Sequence, residues 1–258
     1  MKIFLSSLNT ASVDKSEMPK YANVADMLVK NGVQMKWNLL SFEAIRNDIK
    51  QAEFIRDNSE LILMDSGAFS LQKGSKVEWD KYADAYADFI KQYDRPNVLG
   101  YFELDVDNLI GYDNVLKLRK RLESVTDKII PVWHRNRGID EYKKMCRDYA
   151  GKIVAIASVG NHDVREEQYI MFLKYARQCG CRLHCLGMTR ARVLDHVPFD
   201  FTDSSSWLQN VRYGRVAGKK VTKQTTHEHY GKCFYYNYLE GMEMQEKYYK
   251  RWKKVCND

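Results

Sequence analysis

Short apolar segments alternate with amphipathic segments along most of this chain. The amphipathic segments carry apolar residues at spacings of three and four, which is typical of helices with one buried face. Such alternation predicts βα units and a parallel sheet, because each helix must carry the chain back before the next strand begins. We predict seven strands, at 2–7, 61–65, 98–105, 129–133, 153–159, 182–186 and 199–202. For an eighth strand the sequence offers two candidates, 33–40 and 216–221.

The length of the chain suits a barrel of such units. With 258 residues, of which 45% are hydrophobic, the chain can form one large core and is close to the usual size of a (β/α)8 barrel. We therefore predict an α/β fold, a TIM-like and irregular (β/α)8 barrel forming a single domain over 1–258. Residues 208–258 are predicted to add a basic extension made of a hairpin and a helix. The other helices are predicted at 21–30, 42–56, 77–93, 112–125, 141–149, 165–179 and 190–195.

Three of the predicted strands lead into an aspartate. The apolar run 61–64 is followed directly by Asp65, the strand at 98–105 ends in Asp105, and Asp203 follows the strand at 199–202. In α/β enzymes the chemistry lies beyond the carboxyl ends of the strands. We therefore expect the carboxylates of Asp65 and Asp203 to face one cleft. The alternative for Asp65 is that it caps the N-terminus of the helix that follows.

These acids lie in motifs that resemble those of the tRNA-guanine transglycosylase family, which includes DNA-modifying 7-deazaguanine relatives in bacteria and phages. The segment Asp65-Ser-Gly-Ala-Phe69 is similar to the family's acid-Ser-Gly-Gly-aromatic motif, and Asp105 is similar to its base-reading aspartate. Asp200-Phe-Thr-Asp203 is similar to the family's Asp-x-Phe-Asp nucleophile motif. The three motifs occur in the family's order, and the resemblance extends over about 61–215.

Weaker matches lie between these motifs. Pro131-Val-Trp-His134 stands where the family has a strand ending in a base-binding glutamine, so His134 is a departure. Ala157-Ser-Val-Gly160 resembles the family's Leu-Ala-Val-Gly strand end. His184-Cys-Leu-Gly187 resembles the strand that supplies one face of the base sandwich.

The resemblance implies a base exchange at C1′ of a nucleotide. It implies that Asp203 is the nucleophile, which forms a covalent aspartyl-sugar intermediate, and that Asp65 is the general acid and base. Asp105 is implied to read the N1 and 2-amino edge of a guanine-like base. The remaining implied base contacts come from the strand ends and their loops: Ser66, Gly67, Phe69, His134, Gly160, Leu186 and Gly187.

Positive charge is concentrated in the last part of the chain. The net charge is +7, and residues 201–258 contain eleven Lys or Arg against six Asp or Glu. Basic residues of this kind neutralise phosphates. We therefore predict that the nucleic acid is bound by Arg212, Arg215, Lys219, Lys220 and Lys223. Residues 247–254 mix lysines with Tyr and Trp, which suits either base stacking or an amphipathic helix packed on the barrel.

Metal binding is not required by the reaction that the resemblance implies. The zinc motif of the family's tRNA-acting members, Cys-x-Cys-x-x-Cys followed by a histidine, is missing after Asp203. We predict no required cofactor, with zinc held by His227, His229 and Cys233 as the alternative.

The missing zinc motif favours DNA as the substrate. We expect guanine in DNA to be replaced by a free 7-deazaguanine base of the preQ0 or preQ1 type. A tRNA-guanine transglycosylase is the first alternative, a nucleoside glycosidase the second, and an inactive nucleic-acid-binding barrel a third.

The chain is expected to be cytoplasmic and to have no membrane partner. No apolar stretch approaches the length of a membrane span, and the apolar core of the opening segment Met1-Lys-Ile-Phe-Leu5 is too short for a secretory signal. The six cysteines are expected to be free thiols.

Overall fold

The computed structural model describes residues 1–71, 77–157, 164–222 and 229–256. Within these residues, nine parallel strands form one sheet in the order β5-β4-β3-β2-β1-β9-β8-β7-β6. The strands are β1 Lys2–Ser6, β2 Met35–Ser41, β3 Ser59–Asp65, β4 Val98–Phe102, β5 Ile129–Ile130, β6 Val132–Trp133, β7 Ile153–Ala157, β8 Arg182–Leu186 and β9 Phe201–Ser204. Apart from β5 and β6, strands that follow one another in the chain are neighbours in the sheet, as βα repetition predicts.

The sheet is nearly closed into a barrel, and one proline interrupts it. β4 pairs with β5, β6 pairs with β7, and only Pro131 separates β5 from β6. Proline has no N–H to donate to the ladder, so the strand predicted at 129–133 breaks there. The Pro131 carbonyl still accepts a hydrogen bond of 2.9 Å from the Ala155 N–H. The prediction of a TIM-like barrel is confirmed, with β5 and β6 together occupying one of eight positions.

The eighth strand is β2, the first of the two candidates. It pairs in parallel with β1 on one side and β3 on the other. The second candidate, 216–221, is wrong as a barrel strand. Instead Arg215–Val216 (β10) and Lys219–Lys220 (β11) form a short antiparallel hairpin outside the sheet, as the extension was predicted to do.

Two strand ends differ from the prediction in a way that matters for the site. β4 ends at Phe102, because a turn closed by the Val106 N–H and the Leu104 carbonyl follows it. Asp105 therefore lies in a loop. β9 continues to Ser204, which pairs with Leu5, so Asp203 lies within the strand.

Helices surround the barrel and lie between the strands in the chain. They are α1 Val24–Lys30, α2 Phe42–Ile45, α3 Ile49–Asp57, α4 Ala68–Leu71, α5 Trp79–Tyr93, α6 Asp107–Ile110, α7 Tyr112–Glu123, α8 Gly138–Asp148, α9 Tyr169–Gln178, α10 Ala191–Leu194, α11 Ser206–Arg212 and α12 Tyr230–Trp252. The single helix predicted at 42–56 is wrong: Asp48 caps a new helix, α3, by accepting from the Gln51 N–H. Within the described ranges, no helix is long and apolar enough to cross a membrane.

The barrel has an apolar interior below its carboxyl end. Side chains that point inward alternate with side chains that pack under the helices, as the pleat requires. The interior cluster consists of Phe4, Trp37, Leu39, Leu63, Phe102, Ile130, Val132, Ile153, Ala155, Ala157 and Phe201. Asp65 lies two residues beyond inward-facing Leu63, and Asp203 two beyond Phe201. Both aspartates therefore continue the inward-facing side of their strands.

The C-terminal helix α12 packs on the wall of the barrel. Gln245 donates hydrogen bonds to the carbonyls of Ile3 and Trp37, and a Cβ on Gly241 would lie 3.0 Å from the Leu5 side chain. Tyr248 is buried, whereas Lys250 remains exposed to solvent. Of the two interpretations of residues 247–254, the amphipathic helix packed on the barrel describes the end of α12.

Candidate active site

Three hydrogen bonds hold the carboxylate of Asp203. Oδ1 lies 3.0 Å from Nε2 of His184 and accepts the Gly187 N–H at 2.8 Å. Oδ2 accepts the Ser6 hydroxyl at 3.1 Å. His184 lies in β8, Gly187 in the turn after β8, and Ser6 in β1. β8 and β1 are the two strands that flank β9. Asp203 therefore has a fixed orientation at the carboxyl end of the barrel, with 14% of its side chain exposed.

Asp65 lies at the end of β3 among other negative charges. Its burial, together with the charges of Asp105 and Asp203, raises the pKa of its carboxyl to about 7, and the N–H groups of Gly67 and Ser66 oppose that rise. A carboxyl with this pKa exchanges a proton near neutral pH, as a general acid or base must. All three predicted acids lie at the carboxyl ends of β3 and β9 or in the loop after β4, so they share one end of the barrel, its mouth.

The turn after Asp65 requires a glycine. Gly67 has a φ of +74°, and a Cβ there would lie 2.4 Å from Cβ of Glu43. Its N–H donates to Oδ2 of Asp65 at 3.2 Å, which ties the carboxylate to the turn. Ser66 is fully buried, and its Oγ accepts from the Ala68 N–H at 3.4 Å, so its hydroxyl lies within the turn.

Two of the predicted base-contact residues are apolar and lie just after β3 and at the end of β8. Phe69 is 55% exposed on α4, an unusual exposure for a phenylalanine, and Leu186 is partly buried at the end of β8. Gly187 follows Leu186 and contributes the N–H that Asp203 accepts. Gly160, the other predicted strand-end glycine, lies outside the described residues.

Asp105 and His134 form a pair on the opposite side of the mouth. Nε2 of His134 lies 3.0 Å from Oδ2 of Asp105, and the two side chains are 19% and 14% exposed. Within the described part of the chain, Oδ1 of Asp105 accepts no hydrogen bond. The histidine that departs from the expected glutamine thus contacts the predicted base-reading aspartate directly, and one carboxylate oxygen remains for a ligand.

Buried ion pairs hold the loops that carry this pair. Arg137 binds Glu103 at 3.1 Å and Asp107 at 3.0 Å, and Glu103 also pairs with Arg119 at 2.6 Å. The Arg137 side chain is 2% exposed and Glu103 is 0% exposed. Asp105 lies midway between Glu103 and Asp107 in the sequence. The loop after β4 is therefore clamped to the loop after β6 on both sides of the Asp105–His134 contact.

Glu103 also accepts a backbone N–H group next to the strand break. Its Oε1 accepts the Val132 N–H at 2.7 Å, immediately after Pro131. The carboxylate thereby replaces the ladder partner at the interruption. These ion pairs shift the pKa of Asp107 strongly. Burial alone would raise this pKa, but the charge of Arg137 and the hydrogen bonds from Arg137 and Asn136 outweigh that effect and lower it to about 2.

His184 is a site residue that the motif comparison missed. Its side chain is fully buried inside the barrel, where its ring lies 5.0 Å from the Phe102 ring. Nδ1 is buried and has no hydrogen-bond partner in the described structure. The signal was present in the strand pattern, since Leu183 and Cys185 face outward and His184 must face the interior.

Asp200, the first acid of the nucleophile motif, lies at the other end of β9. It accepts the Leu183 N–H at 2.8 Å and pairs with Arg177 at 3.1 Å. Within that motif, only Asp203 is at the carboxyl end of the barrel.

The predicted basic surface lies outside the barrel wall. Arg212, Arg215, Lys219 and Lys220 are exposed at the end of α11 and on the β10–β11 hairpin, and Lys223 lies outside the described residues. Asn237 of α12 holds the hairpin, because it accepts the Ala217 N–H and donates to the Arg215 carbonyl. The four described cations therefore sit on an ordered support.

A second surface with basic residues lies on the outer side of β6. A cleft of about 490 Å³ contacts none of the three acids. Its lining residues are Trp133, Arg135, Ile139, Arg165, Gln168, Met171 and Phe172. Trp133 packs against Tyr142 and Phe172 on the helix side of β6, so this cleft lies outside the barrel.

The possible zinc ligands are only partly described. His227 lies outside the described residues. Nδ1 of His229 lies 2.7 Å from Oε1 of Glu17, and Cys233 is buried in the first turn of α12. A search of the described residues finds no cluster of three or more side chains arranged to hold a metal ion.

The site thus combines a carboxyl that titrates near pH 7 with a second carboxylate held by three donors. Such a pair can protonate a leaving group and supply a nucleophile. Comparisons of the chain with protein-family models, with curated proteins and with solved structures find no match.

Proposed function

We propose that this protein is a base-exchange enzyme that replaces guanine in DNA with a 7-deazaguanine base. The observation that carries the proposal is the contrast between Asp65 and Asp203. One carboxyl has its pKa raised to about 7 by burial and by its acidic neighbours, and the other is oriented by Ser6, His184 and Gly187. Glycosyl transfer with retention needs one acid that keeps its proton and one nucleophile.

In the first step, Asp203 attacks C1′ of the nucleotide. A lone pair of its carboxylate forms the C1′–O bond while the C1′–N9 bond breaks, and that electron pair leaves with the base. Asp65 in its protonated form delivers a proton to the departing purine. The products are the free guanine, a covalent aspartyl-sugar ester and an ionised Asp65.

In the second step, the incoming base reverses this sequence. Asp65 takes the proton from N9 of the 7-deazaguanine as that nitrogen attacks C1′, and the C1′–O bond to Asp203 breaks. Two displacements restore the original configuration at C1′. Asp65 ends the cycle protonated, and a pKa near 7 lets it serve in both directions.

Base recognition is assigned to the Asp105–His134 pair and to the apolar side chains of Phe69 and Leu186. Oδ1 of Asp105 is available to accept N–H donors from the N1 and 2-amino edge of guanine, since Oδ2 contacts His134. Phe69 and Leu186 are proposed to stack on the two faces of the base. The clamp through Arg137 supports this role, because it fixes both loops that carry the pair.

The nucleotide must leave its stack to reach a site at the mouth of a barrel. Phosphate contacts then have to supply much of the affinity. Arg212, Arg215, Lys219 and Lys220 are exposed and are proposed for this role together with Lys223. We favour DNA over tRNA because the chain lacks the zinc motif of the family's tRNA-acting members.

The proposal is tested by exchange of labelled guanine into duplex DNA and into tRNA, and by a covalent adduct that survives denaturation. We expect exchange into DNA, no adduct with Asp203→Asn, and slower release of guanine with Asp65→Asn. Asp88→Asn, a change on the exposed face of α5, is the control. Exchange into tRNA alone would establish the first alternative, and base release without exchange would establish a glycosidase. An adduct in Asp203→Asn would mean that another residue is the nucleophile.

A further inference from the structure

We propose that His184 is a positioning residue for the nucleophile. From inside the barrel it holds Oδ1 of Asp203, so that Oδ2 attacks the sugar and Oδ1 takes up negative charge when the ester breaks. This inference rests on the proposed function, because it assumes that Asp203 forms the covalent intermediate.

The location of His184 restricts it to an indirect role. Its side chain is 0% exposed, and its ring lies 5.0 Å from Phe102 and 6.5 Å from Phe4. Register places His184 beside Phe201, two residues before Asp203, so the ring lies on the interior side of the carboxylate. A bound sugar at the mouth would contact Asp203 and not His184. Any effect of His184 on the reaction must therefore pass through the carboxylate.

The hydrogen-bond partners settle which nitrogen carries the proton. An ionised carboxylate only accepts hydrogen bonds, so Nε2 must be the donor in the 3.0 Å contact with Oδ1. Nδ1 is buried, and no acceptor for an N–H lies beside it in the described residues. Burying an N–H without an acceptor is costly. His184 is accordingly assigned as the neutral ring with its single proton on Nε2.

The two oxygens of Asp203 then differ in what they can do. Oδ1 accepts two donors, the His184 ring and the Gly187 N–H, which use both of its lone pairs. Among the described residues, Oδ2 accepts only the Ser6 hydroxyl, which leaves it a lone pair. That lone pair forms the bond to C1′, and the electrons of the C1′–N9 bond leave with the base. In the resulting ester, Oδ1 is the carbonyl oxygen.

The same donors favour the second displacement. When the incoming base attacks, the electron pair of the C1′–Oδ2 bond returns to the carboxylate, and its charge spreads onto Oδ1. Donors already aimed at that oxygen stabilise the charge as it develops. During the first displacement the carboxylate instead loses charge. Without the His184 donor, the Asp203 carboxylate is less stabilised and more nucleophilic, which partly offsets the effect of the substitution on this step. Removal of His184 should therefore slow breakdown of the adduct more than its formation.

The test times adduct breakdown in a chase. Active enzyme is incubated with guanine-containing DNA until the covalent adduct has formed. Excess 7-deazaguanine base is then added, and the amount of remaining adduct is measured over time. His184→Phe keeps a ring of similar size without a donor, and we expect breakdown about 10- to 100-fold slower, the value of one hydrogen bond to a charged group. His184→Gln retains an N–H donor and should stay within a few fold of the wild type. His196→Gln, at an exposed histidine, is the matched control.

The outcomes separate this inference from the proposed function. If the wild type forms no adduct with any nucleic acid, the proposed function fails and this inference with it. If the wild type forms the adduct and His184→Phe breaks it down at the wild-type rate, the role of His184 is wrong while the function stands. Breakdown equally slow in His184→Gln would also overturn the role. Because breakdown is timed on enzyme that already carries the adduct, a loss of folded protein lowers the signal without changing the rate.

Discussion

Replacing Asp65 by asparagine should stabilise the protein at pH 8 and have little effect at pH 4. The pKa of Asp65 is about 7 in the folded protein against an ordinary value of 3.8, because burial and the charges of Asp105 and Asp203 disfavour ionisation. Each pKa unit corresponds to about 1.4 kcal/mol, so a rise of about three units costs the wild type up to about 4 kcal/mol once the group is ionised. Asparagine carries no charge and keeps an acceptor for the Gly67 N–H.

The direction in which stability changes with pH depends on whether the folded or the unfolded chain binds the proton of Asp65 more tightly. Below pH 4 both the folded and the unfolded chain bind a proton at Asp65, so the carboxyl contributes nothing to the free energy of unfolding. Between pH 4 and 7 the unfolded chain loses its proton first, and wild-type stability falls by up to about 1.4 kcal/mol per pH unit from this group. Above pH 7 both states are ionised and the loss is constant. The gain of Asp65→Asn over the wild type should grow through this window.

Urea unfolding at pH 4, 5, 6, 7 and 8 measures that gain. Asp88→Asn serves as the control, because this exposed carboxylate pairs with Lys91 on the surface of α5 and its removal should change stability by less than about 0.5 kcal/mol at every pH. A gain of the same size at pH 4 and pH 8 would refute the electrostatic explanation. A loss of stability at pH 8 would mean that the ionised carboxylate is favourably paired in the folded protein.

Three further outcomes are expected. If Asp65 is the general acid, as proposed, guanine release should fall above about pH 7, where Asp65 loses its proton, and a pH profile of the first turnover measures this. Arg137→Met should lower the free energy of unfolding by about 3 to 5 kcal/mol at neutral pH, since it leaves the buried Glu103 and Asp107 short of a counter-ion. In urea unfolding at lower pH, the contribution of Asp107 should be lost only as the pH falls below about 4 toward its folded pKa of about 2. Gly67→Ala should cost at least about 1 kcal/mol in the same assay, because it combines a positive φ with a 2.4 Å contact to Glu43.

The repeating fold could be predicted because its signal is local. Apolar runs and amphipathic stretches alternate within short windows, and most strands and helices lie where these patterns place them. The positions of Asp65 and Asp203 near the ends of strands were also predictable, since Asp65 directly continues an apolar run and Asp203 follows the strand predicted at 199–202. The strand break at Pro131 was not predicted, although proline removes the ladder donor at that position. Glu103 compensates for the break from a distant part of the chain, and sequence patterns do not reveal such a partner.

The contacts around the acids were beyond sequence reasoning for the same reason. Arg137 joins Glu103 and Asp107 across 34 and 30 residues, and the periodicity of one helix or strand carries no trace of such a pair. The pairing of His134 with Asp105 depends on that clamp. His184 differs, because its inward position follows from the alternation of β8. It was missed since it lies beneath the mouth, and family motifs identify groups that contact the ligand.

The arrangement explains how three carboxylates can share one mouth. Their mutual repulsion is relieved in two ways, by a proton retained on Asp65 and by hydrogen bonds from uncharged donors to Asp203. A cation placed directly at either carboxylate would lower the pKa of Asp65 and remove its proton near neutral pH. The arginines instead pair with Glu103 and Asp107, one step away from the site. If an arginine or lysine replaced the neutral donor Ser6, we would expect a lower pKa of Asp65 and a smaller protonated fraction of Asp65 near neutral pH.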